Sequence, residues 1–358
     1  MNSLLVALIA FLATIILIVL LRPVAILIGL TDKPNARKQH VGSIPLIGGI
    51  AIYMAFGAAV LVSPWVSPAA APVSDKLFVF LYCALILVVA GAWDDLRGLS
   101  PVTRMIVQIF VAFIMISDAG IIIIDLGAYI PEFDHVILET MAVPFTVFAT
   151  VGLINAINMS DGLDGLSGNM TLISFVGLGT ANAMWGSGSN LELLNVLSAA
   201  IAGFLVFNQR MLWRPTAAVF LGDAGSMLLG FALAWVAIEV SQGSARALTP
   251  AATLWFLIVP VYDTLGVTVR RLLDRRSPFQ ADAQHLHHLF VRAGFSVTAT
   301  IASLCILALM GVVVGLFVTW WGVPDWQVMG AFVMGWFVYL AVIHRAWQRK
   351  HFLGRAVA

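Results

Sequence analysis

The sequence predicts an all-α, polytopic integral membrane protein with about eleven transmembrane helices. Of its 358 residues, 61% are hydrophobic and only 10% are charged, whereas a soluble globular domain carries about 25% charged residues. The apolar residues are grouped in long runs, most of them near the roughly 20 residues that a helix needs to cross a bilayer. A chain of this composition must place most of its surface against lipid.

Eleven apolar stretches define the predicted spans in chain order. They lie near 3–21, 44–62, 77–93, 103–124, 141–157, 166–186, 194–208, 224–240, 250–268, 298–320 and 327–344. The first has no basic region and no small-residue cleavage site before Arg22, so it is interpreted as a span and not as a signal peptide. The β-branched, turn-bounded segment after the fourth stretch favours a short periplasmic hairpin near 120–130. No internal repeat or linker divides the chain, so 1–358 is interpreted as a single transmembrane domain.

Basic residues are distributed unevenly between alternate loops. Of the 19 Lys and Arg residues, all but Lys76 and Arg246 fall in loops on one side of the predicted membrane. Because Lys and Arg near the ends of spans mark the cytoplasmic side, the N-terminus is predicted to be periplasmic and the C-terminus cytoplasmic.

Four acidic motifs lie at the cytoplasmic ends of these stretches. They are Asp94-Asp95, Asn158-Met159-Ser160-Asp161-Gly162-Leu163-Asp164, Leu221-Gly222-Asp223 and Tyr262-Asp263. Adjacent carboxylates at a membrane boundary are energetically costly, which favours a functional site over a simple helix cap. Carboxylate and amide oxygens suit Mg²⁺, which binds through one or two carboxylates together with substrate phosphates. Taken alone, Asp223 is also an ordinary helix-capping residue.

The long cytoplasmic loop near 270–292 combines arginines with imidazoles. Three of the chain's seven histidines lie in it, at His285, His287 and His288. A zinc site is one interpretation, but the sequence offers no cysteine or fourth ligand nearby. Histidine N–H groups and arginine forks directed at a diphosphate fit the pattern better.

In this order, the motifs resemble those of the polyprenyl-phosphate N-acetylhexosamine-1-phosphate transferases. The resemblance covers nearly the whole chain and rests on residues 44–49, Asp94-Asp95, 155–166, 220–226 and 285–288. The eleven spans and the 277–295 loop are similar to the branch that transfers GlcNAc-1-phosphate from UDP-GlcNAc to undecaprenyl phosphate. The resemblance implies a Mg²⁺-dependent enzyme, with Mn²⁺ as a substitute, in the bacterial inner membrane. Its active site would face the cytoplasm and begin the synthesis of lipopolysaccharide O-antigen or a related cell-surface glycan.

The resemblance also implies roles for individual residues. The implied catalytic residues are Asp94, Asp95, Asp161, His285, His287 and His288. The implied metal ligands are Asp223, Asn158 and Asp95. The implied substrate contacts are Asn158, Gly162, Leu163, Asp164, Phe220, Arg104, Arg271 and Lys38.

The expected partners are UDP-GlcNAc, undecaprenyl phosphate and the lipid bilayer, without a nucleic acid. The sequence leaves the oligomeric state open, including a homodimer. Two functional alternatives also stay open: the same chemistry with another UDP-N-acetylhexosamine, and an ion-coupled transporter. Transporters place acidic residues near the midplane on broken helices and commonly show inverted repeats, whereas these acids lie at one boundary. Direct attack by the lipid phosphate is favoured over a covalent aspartyl-phosphate route.

Overall fold

A computed structural model of the chain describes residues 2–32, 42–66, 74–129, 135–187, 191–211, 214–277 and 284–355. These ranges are built almost entirely from helices, so the predicted all-α class is confirmed. The helices are α1 (Asn2–Ile28), α2 (Gly48–Val66), α3 (Asp75–Arg97), α4 (Pro101–Ala119), α5 (Ala142–Ser160), α6 (Leu166–Trp185), α7 (Leu191–Asn208), α8 (Gly222–Ser241), α9 (Pro250–Trp255), α10 (Ile258–Leu273), α11 (Leu286–Arg292), α12 (Val297–Trp320) and α13 (Asp325–Arg355). Two short antiparallel strands, β1 (Thr31–Asp32) and β2 (Ile44–Pro45), and a 3₁₀ turn at Glu139–Met141 complete the order.

Nine helices in the described ranges are long and apolar enough to cross a membrane. The two remaining predicted spans are 166–186 and 250–268. The first forms α6, whose 20 residues are sufficient in length but less apolar than the nine. The second is divided at Phe256–Leu257 into α9 and α10. The multi-pass architecture is therefore confirmed, and the count of eleven and the orientation stay predictions.

The tight turn between α3 and α4 is encoded by capping residues. Gly98, with φ +75°, ends α3 and donates its N–H to the carbonyl of Asp94 at 2.8 Å. The Oγ of Ser100 then accepts the N–H of Thr103 at 3.0 Å, and Pro101 occupies the first helical position, where a missing N–H is tolerated. The turn places the first residues of α4 beside the last turn of α3.

Helix α8 lies at the centre of the helix bundle. Nearly all of its residues are buried, and it packs against α2, α3, α5 and α6. Glycines allow the closest of these approaches: a Cβ on Gly49 of α2 would overlap Gly225, and one on Gly91 of α3 would overlap Ala224. The N-terminal turn of α8 is therefore enclosed by neighbouring backbone, and side chains at the ends of those helices converge on it.

The short hairpin predicted near 120–130 is present in the described part of that segment. Residues 121–129 follow α4 without forming a helix, and 135–138 pair with them in antiparallel orientation. The N–H of Leu126 donates to the carbonyl of Val136 at 2.9 Å. The pairing is a single β-bridge with flanking hydrogen bonds and not a full ladder.

An ion-paired carboxylate joins this hairpin to the loop between α8 and α9. The Oδ2 of Asp125 lies 2.7 Å from Nδ1 of His135 and 2.8 Å from Nη1 of Arg246. Burial alone would raise the pKa of Asp125, but hydrogen bonds from Gly127 and His135 and the charges of His135 and Arg246 lower it overall. The side chain of Gln242 accepts the Asp125 N–H at 3.0 Å and donates to the Asp125 carbonyl at 2.9 Å.

Candidate functional site

The candidate site lies at the N-terminal end of α8, and Asp95 is the carboxylate that contacts the backbone of this helix end. From the last turn of α3, Asp95 accepts the N–H of Asp223 on Oδ1 at 3.1 Å and that of Ala224 on Oδ2 at 3.4 Å. The residue before α8, Leu221, has no side chain that could cap the helix. A carboxylate at a helix N-terminus satisfies free N–H groups and the positive end of the helix dipole. Asp95 therefore caps α8 from another helix.

An arginine lies between the other two carboxylates of the site. Nη1 of Arg104, on the first turn of α4, is 3.1 Å from Oδ2 of Asp94 and 3.7 Å from Oδ2 of Asp223. The Oδ1 of Asp94 also accepts the N–H of Leu99 at 2.6 Å, which fixes this carboxylate at the end of α3. One guanidinium group thus lies beside two carboxylates. The distribution of Lys and Arg predicts that this end of the bundle faces the cytoplasm.

Helix α5 brings an amide to the same place. Nδ2 of Asn158 donates to Oδ1 of Asp223 at 2.6 Å and to Oγ of Ser226 at 2.8 Å. Side chains from α3, α4, α5 and α8 therefore meet around Asp223. Asp161 follows one turn later, at the end of α5, and its N–H donates to the carbonyl of Asn158 at 3.2 Å.

The loop after α5 is held by side chains from the α7–α8 connection. Oδ2 of Asp164 accepts Nε of Arg210 at 2.8 Å and the N–H of Ala217 at 3.1 Å. Gly165, with φ +88°, donates its N–H to Oδ1 of Asn208 at 2.7 Å. These contacts give Asp164 two protein partners on one oxygen, so its side chain stabilises the loop that carries Asp161 and Gly162.

The histidine motif folds onto this loop. His287 is 2% exposed, and a Cβ on Gly162 would overlap its imidazole, so only glycine allows the contact. Burial, followed by the neighbouring His288, lowers the pKa of His287 to about 3, which keeps the ring neutral at physiological pH. The ring centroids of His287 and His288 are 4.1 Å apart. The predicted imidazoles therefore lie beside the Asp161–Gly162 segment, with Leu163 packed among the apolar residues of the same region.

Three predicted substrate contacts remain: Phe220, Arg271 and Lys38. Phe220 lies immediately before α8; its N–H donates to the carbonyl of Pro45 at 2.9 Å, and its own carbonyl accepts the N–H of Gly48 at 3.0 Å. Arg271 is buried at the end of α10. Lys38 lies outside the described residues. The predicted roles of these residues in catalysis and binding stay predictions.

Three residues without a predicted role also organise the site. Ser226 and Asn208 hydrogen-bond to site segments from positions that resemble ordinary helix-end residues. Asp263 binds His285 through Oδ2 at 2.9 Å to Nδ1. Two of the three carried a signal in the sequence: Asp263 lies in the acidic motif Tyr262-Asp263, and Ser226 lies in the 220–226 motif. Asn208 lies in no motif.

The donor set around Asp223 fits a magnesium ion that binds together with a phosphate ligand. Within the described ranges, no three His, Cys, Asp or Glu side chains form a group that could hold a metal alone. Mg²⁺ usually keeps several waters and uses one or two carboxylates plus substrate phosphates. Asp223 and Asp94 supply such carboxylates, and Oδ2 of Asp94 is buried without a hydrogen-bond partner other than its ion-pair contact with Arg104. Asp95, which was predicted as a ligand, accepts two backbone N–H groups of α8, and its role toward a metal stays a prediction.

The residues around Asp223 lie in a region matched by a known protein family. The model for Glycosyl transferase family 4 matches residues 77–241, from the third residue of α3 to the last residue of α8. The chain is 36% identical over 350 residues to the undecaprenyl-phosphate alpha-N-acetylglucosaminyl 1-phosphate transferase of Yersinia pestis, covering 96% of this chain and 92% of that protein. It is 34% identical to the protein of the same name from Escherichia coli K12, with 96% and 92% coverage. The corresponding Haemophilus influenzae protein is 31% identical, with 97% and 96% coverage.

Proposed function

Because this chain belongs to glycosyl transferase family 4, we propose that it transfers GlcNAc-1-phosphate from UDP-GlcNAc to undecaprenyl phosphate and releases UMP. The names of its relatives support both the sugar and the lipid acceptor. The structural observation that carries the proposal is the meeting of Asp94, Arg104, Asn158 and Asp223 at the N-terminus of α8. A site at a helix end near the membrane boundary is where a lipid-borne phosphate and a water-soluble nucleotide can meet.

The charges of the site suit the transfer of a phosphoryl group. Catalysis of this reaction class consists largely of positioning and of neutralising charge on phosphate oxygens. Mg²⁺, or Mn²⁺ in its place, would be held by Asp223 with Asn158 and Asp94 nearby, and would supply positive charge to the diphosphate. Arg104 lies within 3.7 Å of both carboxylates, so it is placed to pair with an incoming phosphate oxygen. The histidine motif, which lies against Gly162, would donate hydrogen bonds from its imidazole N–H groups to the diphosphate.

The favoured mechanism is direct in-line attack of the acceptor phosphate on the β-phosphorus of UDP-GlcNAc. One lipid phosphate oxygen forms the new P–O bond, and the bond to the UMP oxygen breaks. The acceptor has a second pKa near 6, so it is already anionic at neutral pH and needs little help from a base. Asp161 and Asp94 would orient the substrates, with no covalent aspartyl intermediate.

The cellular setting follows from the same proposal. The enzyme would lie in the bacterial inner membrane with its site facing the cytoplasm, where nucleotide sugars are available. Its product, undecaprenyl-diphospho-GlcNAc, would begin an O-antigen or related surface glycan. A homodimer is compatible with the reaction and is not required by it.

UMP release tests this function directly. Detergent-solubilised protein with UDP-GlcNAc, undecaprenyl phosphate and Mg²⁺ should release UMP, and excess EDTA should abolish the release until Mg²⁺ or Mn²⁺ is restored. A panel of UDP-N-acetylhexosamines should rank UDP-GlcNAc first. Lack of UMP with every sugar would contradict the function, and full turnover in EDTA would contradict the metal requirement.

A second arm tests the mechanism. Without lipid acceptor, UDP-GlcNAc labelled in the β-phosphate should stay intact, and labelled UMP should not exchange into it. Stoichiometric UMP release with label retained on the protein would show a covalent intermediate.

A further inference from the structure

Asp263 is a buried carboxylate beside the site that the proposed mechanism does not use. It lies on α10 and is 4% exposed. Within the described ranges, Asp263 forms its ion pair with His285 and not with a lysine or arginine. A buried carboxylate is normally retained only where hydrogen bonds satisfy it.

Both carboxylate oxygens of Asp263 are directed at the start of the histidine motif. Oδ2 lies 2.9 Å from Nδ1 of His285, and Oδ1 accepts the backbone N–H of Leu286 at 2.8 Å. The hydroxyl of Tyr339, on α13, donates to Oδ1 at 3.1 Å. Three donors from two separate segments of the chain therefore converge on one side chain of α10.

Tyr339 is itself held against α10. A Cβ on Gly266 would lie 2.8 Å from its ring, and its ring centroid is 5.7 Å from that of Tyr262. The last long helix of the chain is thus connected through one hydroxyl group to the carboxylate that holds the histidine motif.

These contacts determine which nitrogen of His285 carries a proton. An ionised carboxylate only accepts hydrogen bonds, so Nδ1 of His285 must be the protonated nitrogen that faces Asp263. Because Leu286 is bound to the same carboxylate, the orientation of the first turn of α11 is fixed as well. One residue further on, His287 lies against Gly162.

We propose that Asp263 and Tyr339 are positioning residues of this enzyme: together they fix the Nδ1–H tautomer of His285 and the first turn of α11, and so hold the histidine motif against the Gly162 loop. The inference rests on the proposed function only for its kinetic consequence. Neither residue touches the cluster around Asp223 in the described contacts, so both act through the histidines.

Asp263→Asn is the most informative variant because it keeps the shape and removes the charge. The amide oxygen must stay toward Leu286 and Tyr339, where two donors need an acceptor. The amide NH₂ then faces His285, whose Nδ1 must become an acceptor with the proton on Nε2. The tautomer of one histidine is therefore expected to invert without loss of packing.

Two readouts test the proposal. Loss of the partners that orient metal-ligating histidines typically reduces activity about 10- to 100-fold. We expect the same scale for histidines that bind a diphosphate, so Asp263→Asn should lower kcat/KM for UDP-GlcNAc by about that factor. Its KM for undecaprenyl phosphate should stay within about twofold of wild type, since only the histidine side is disturbed. In ¹⁵N-histidine NMR of the full chain, the His285 signals, assigned by His285→Gln, should change from the Nδ1–H to the Nε2–H pattern.

Matched tyrosine variants separate positioning from general packing. Tyr339→Phe should lower kcat/KM less than Asp263→Asn, because one of three hydrogen bonds is lost. Tyr262→Phe removes a neighbouring hydroxyl that bonds to the carbonyl of Phe332 and not to Asp263, and it should retain wild-type kinetics. Asp263→Glu, which keeps the carboxylate, should retain the Nδ1–H tautomer.

Specific outcomes would overturn the proposal. They are an unchanged His285 tautomer in Asp263→Asn, wild-type kcat/KM in that variant, or equal losses in Tyr262→Phe and Tyr339→Phe. If the wild-type protein released no UMP, the proposed function would fail, while the NMR readout would still decide the positioning role.

Discussion

At the scale of single residues, Asp223 is the point where the site helices meet. Its backbone N–H is capped by Asp95, its Oδ1 accepts from Asn158, and its Oδ2 faces Arg104. The backbone contact holds the helix, so the carboxylate is available for chemistry. The structural and proposed chemical roles of the residue are therefore separable by a substitution that changes only the charge.

Asp223→Asn should lower UMP release by roughly 10²–10³, the scale seen when one group that stabilises transition-state charge is lost. The midpoint of thermal unfolding should stay close to wild type, because the Asp95 cap uses the backbone and the new amide oxygen can still accept from Asn158. Asp118→Asn, which changes a carboxylate at the far end of α4, is the control and should keep full activity. Near-normal turnover of the Asp223 variant would show that its carboxylate serves only the end of α8.

His287 makes the packing of the histidine motif depend on pH. Its pKa falls from 6.5 to about 3 on folding because the ring is buried and lies beside His288. Below pH 6.5 the unfolded segment binds a proton that the packed segment does not, so packing is fully stabilised above pH 6.5 and weakens progressively as the pH falls toward 3. Hydrogen exchange of 286–292, corrected for intrinsic rates, should therefore show lower protection at pH 5 than at pH 7.

A reference segment and a variant define the source of this effect. Protection in the middle of α12, which contains no histidine, should change little over the same pH range, and His287→Asn should remove most of the pH dependence. Equal protection of 286–292 at pH 7 and pH 5 would contradict the buried, neutral state of His287.

At the scale of elements, close helix contacts at glycine set the separation of the site carboxylates. Gly91 lies one turn before Asp94 and Asp95 on α3, and any side chain there would overlap the backbone of Ala224 on α8. Gly152, on α5, has no atom within 4 Å of an added Cβ. The two glycines provide a matched pair of helical positions, one closely packed and one open.

Gly91→Ala should destabilise the protein by about 1–3 kcal/mol through overpacking and should also lower activity, because α3 must move away from α8. Gly152→Ala should leave activity unchanged and raise stability by about 0.5–1 kcal/mol, since alanine restricts the unfolded chain and favours helix. Thermal unfolding in detergent and UMP release measure both. Equal effects of the two variants would show that the α3–α8 separation tolerates change.

Elements were predictable from the sequence where a single stretch determines them. Apolar runs located the nine apolar helices, and turn-forming, β-branched residues located the hairpin after α4. The break at Phe256–Leu257 was not predictable, because those residues are as apolar as the helices around them. In the site, Arg104 reaches Asp94 across one short turn, whereas the Asp95 cap joins residues 128 apart and the Asp263–His285 pair joins residues 22 apart. The order of residues along a chain does not show which positions far apart in sequence come into contact in the folded protein.

At the scale of the whole molecule, the charge distribution predicts which end of the bundle faces the cytoplasm. The site and the loop that contains the histidine motif lie at one end, and the hairpin bound by Asp125 and Arg246 lies at the other. This arrangement agrees with the division of the basic residues between loops. It also makes the orientation testable with two exposed alanines, Ala245 and Ala293.

Single cysteines introduced as Ala245→Cys and Ala293→Cys, with the native Cys83 and Cys305 replaced by alanine, should label from opposite sides. In intact cells, a membrane-impermeant maleimide should react with the cysteine at 245 alone, because Lys and Arg retain their loops in the cytoplasm. Lysed cells should label at both positions. Labelling at position 293 in intact cells would reverse the predicted topology.

The cap that Asp95 places on α8 has a consequence for the order in which the molecule is made. Ribosomes synthesise α3 and its two carboxylates long before the N–H groups that Asp95 accepts, since 128 residues separate the partners. During that interval, four more helices, α4 to α7, are inserted into the membrane. Asp95 meanwhile lacks the N–H groups of α8 that it accepts in the complete protein. The arrival of α8 completes the centre of the bundle and the acidic part of the site, and the histidine motif follows later in the chain. A nascent chain that has not yet released residue 223 into the membrane is therefore chemically silent, and the protein becomes an enzyme only after more than half of it has been translated.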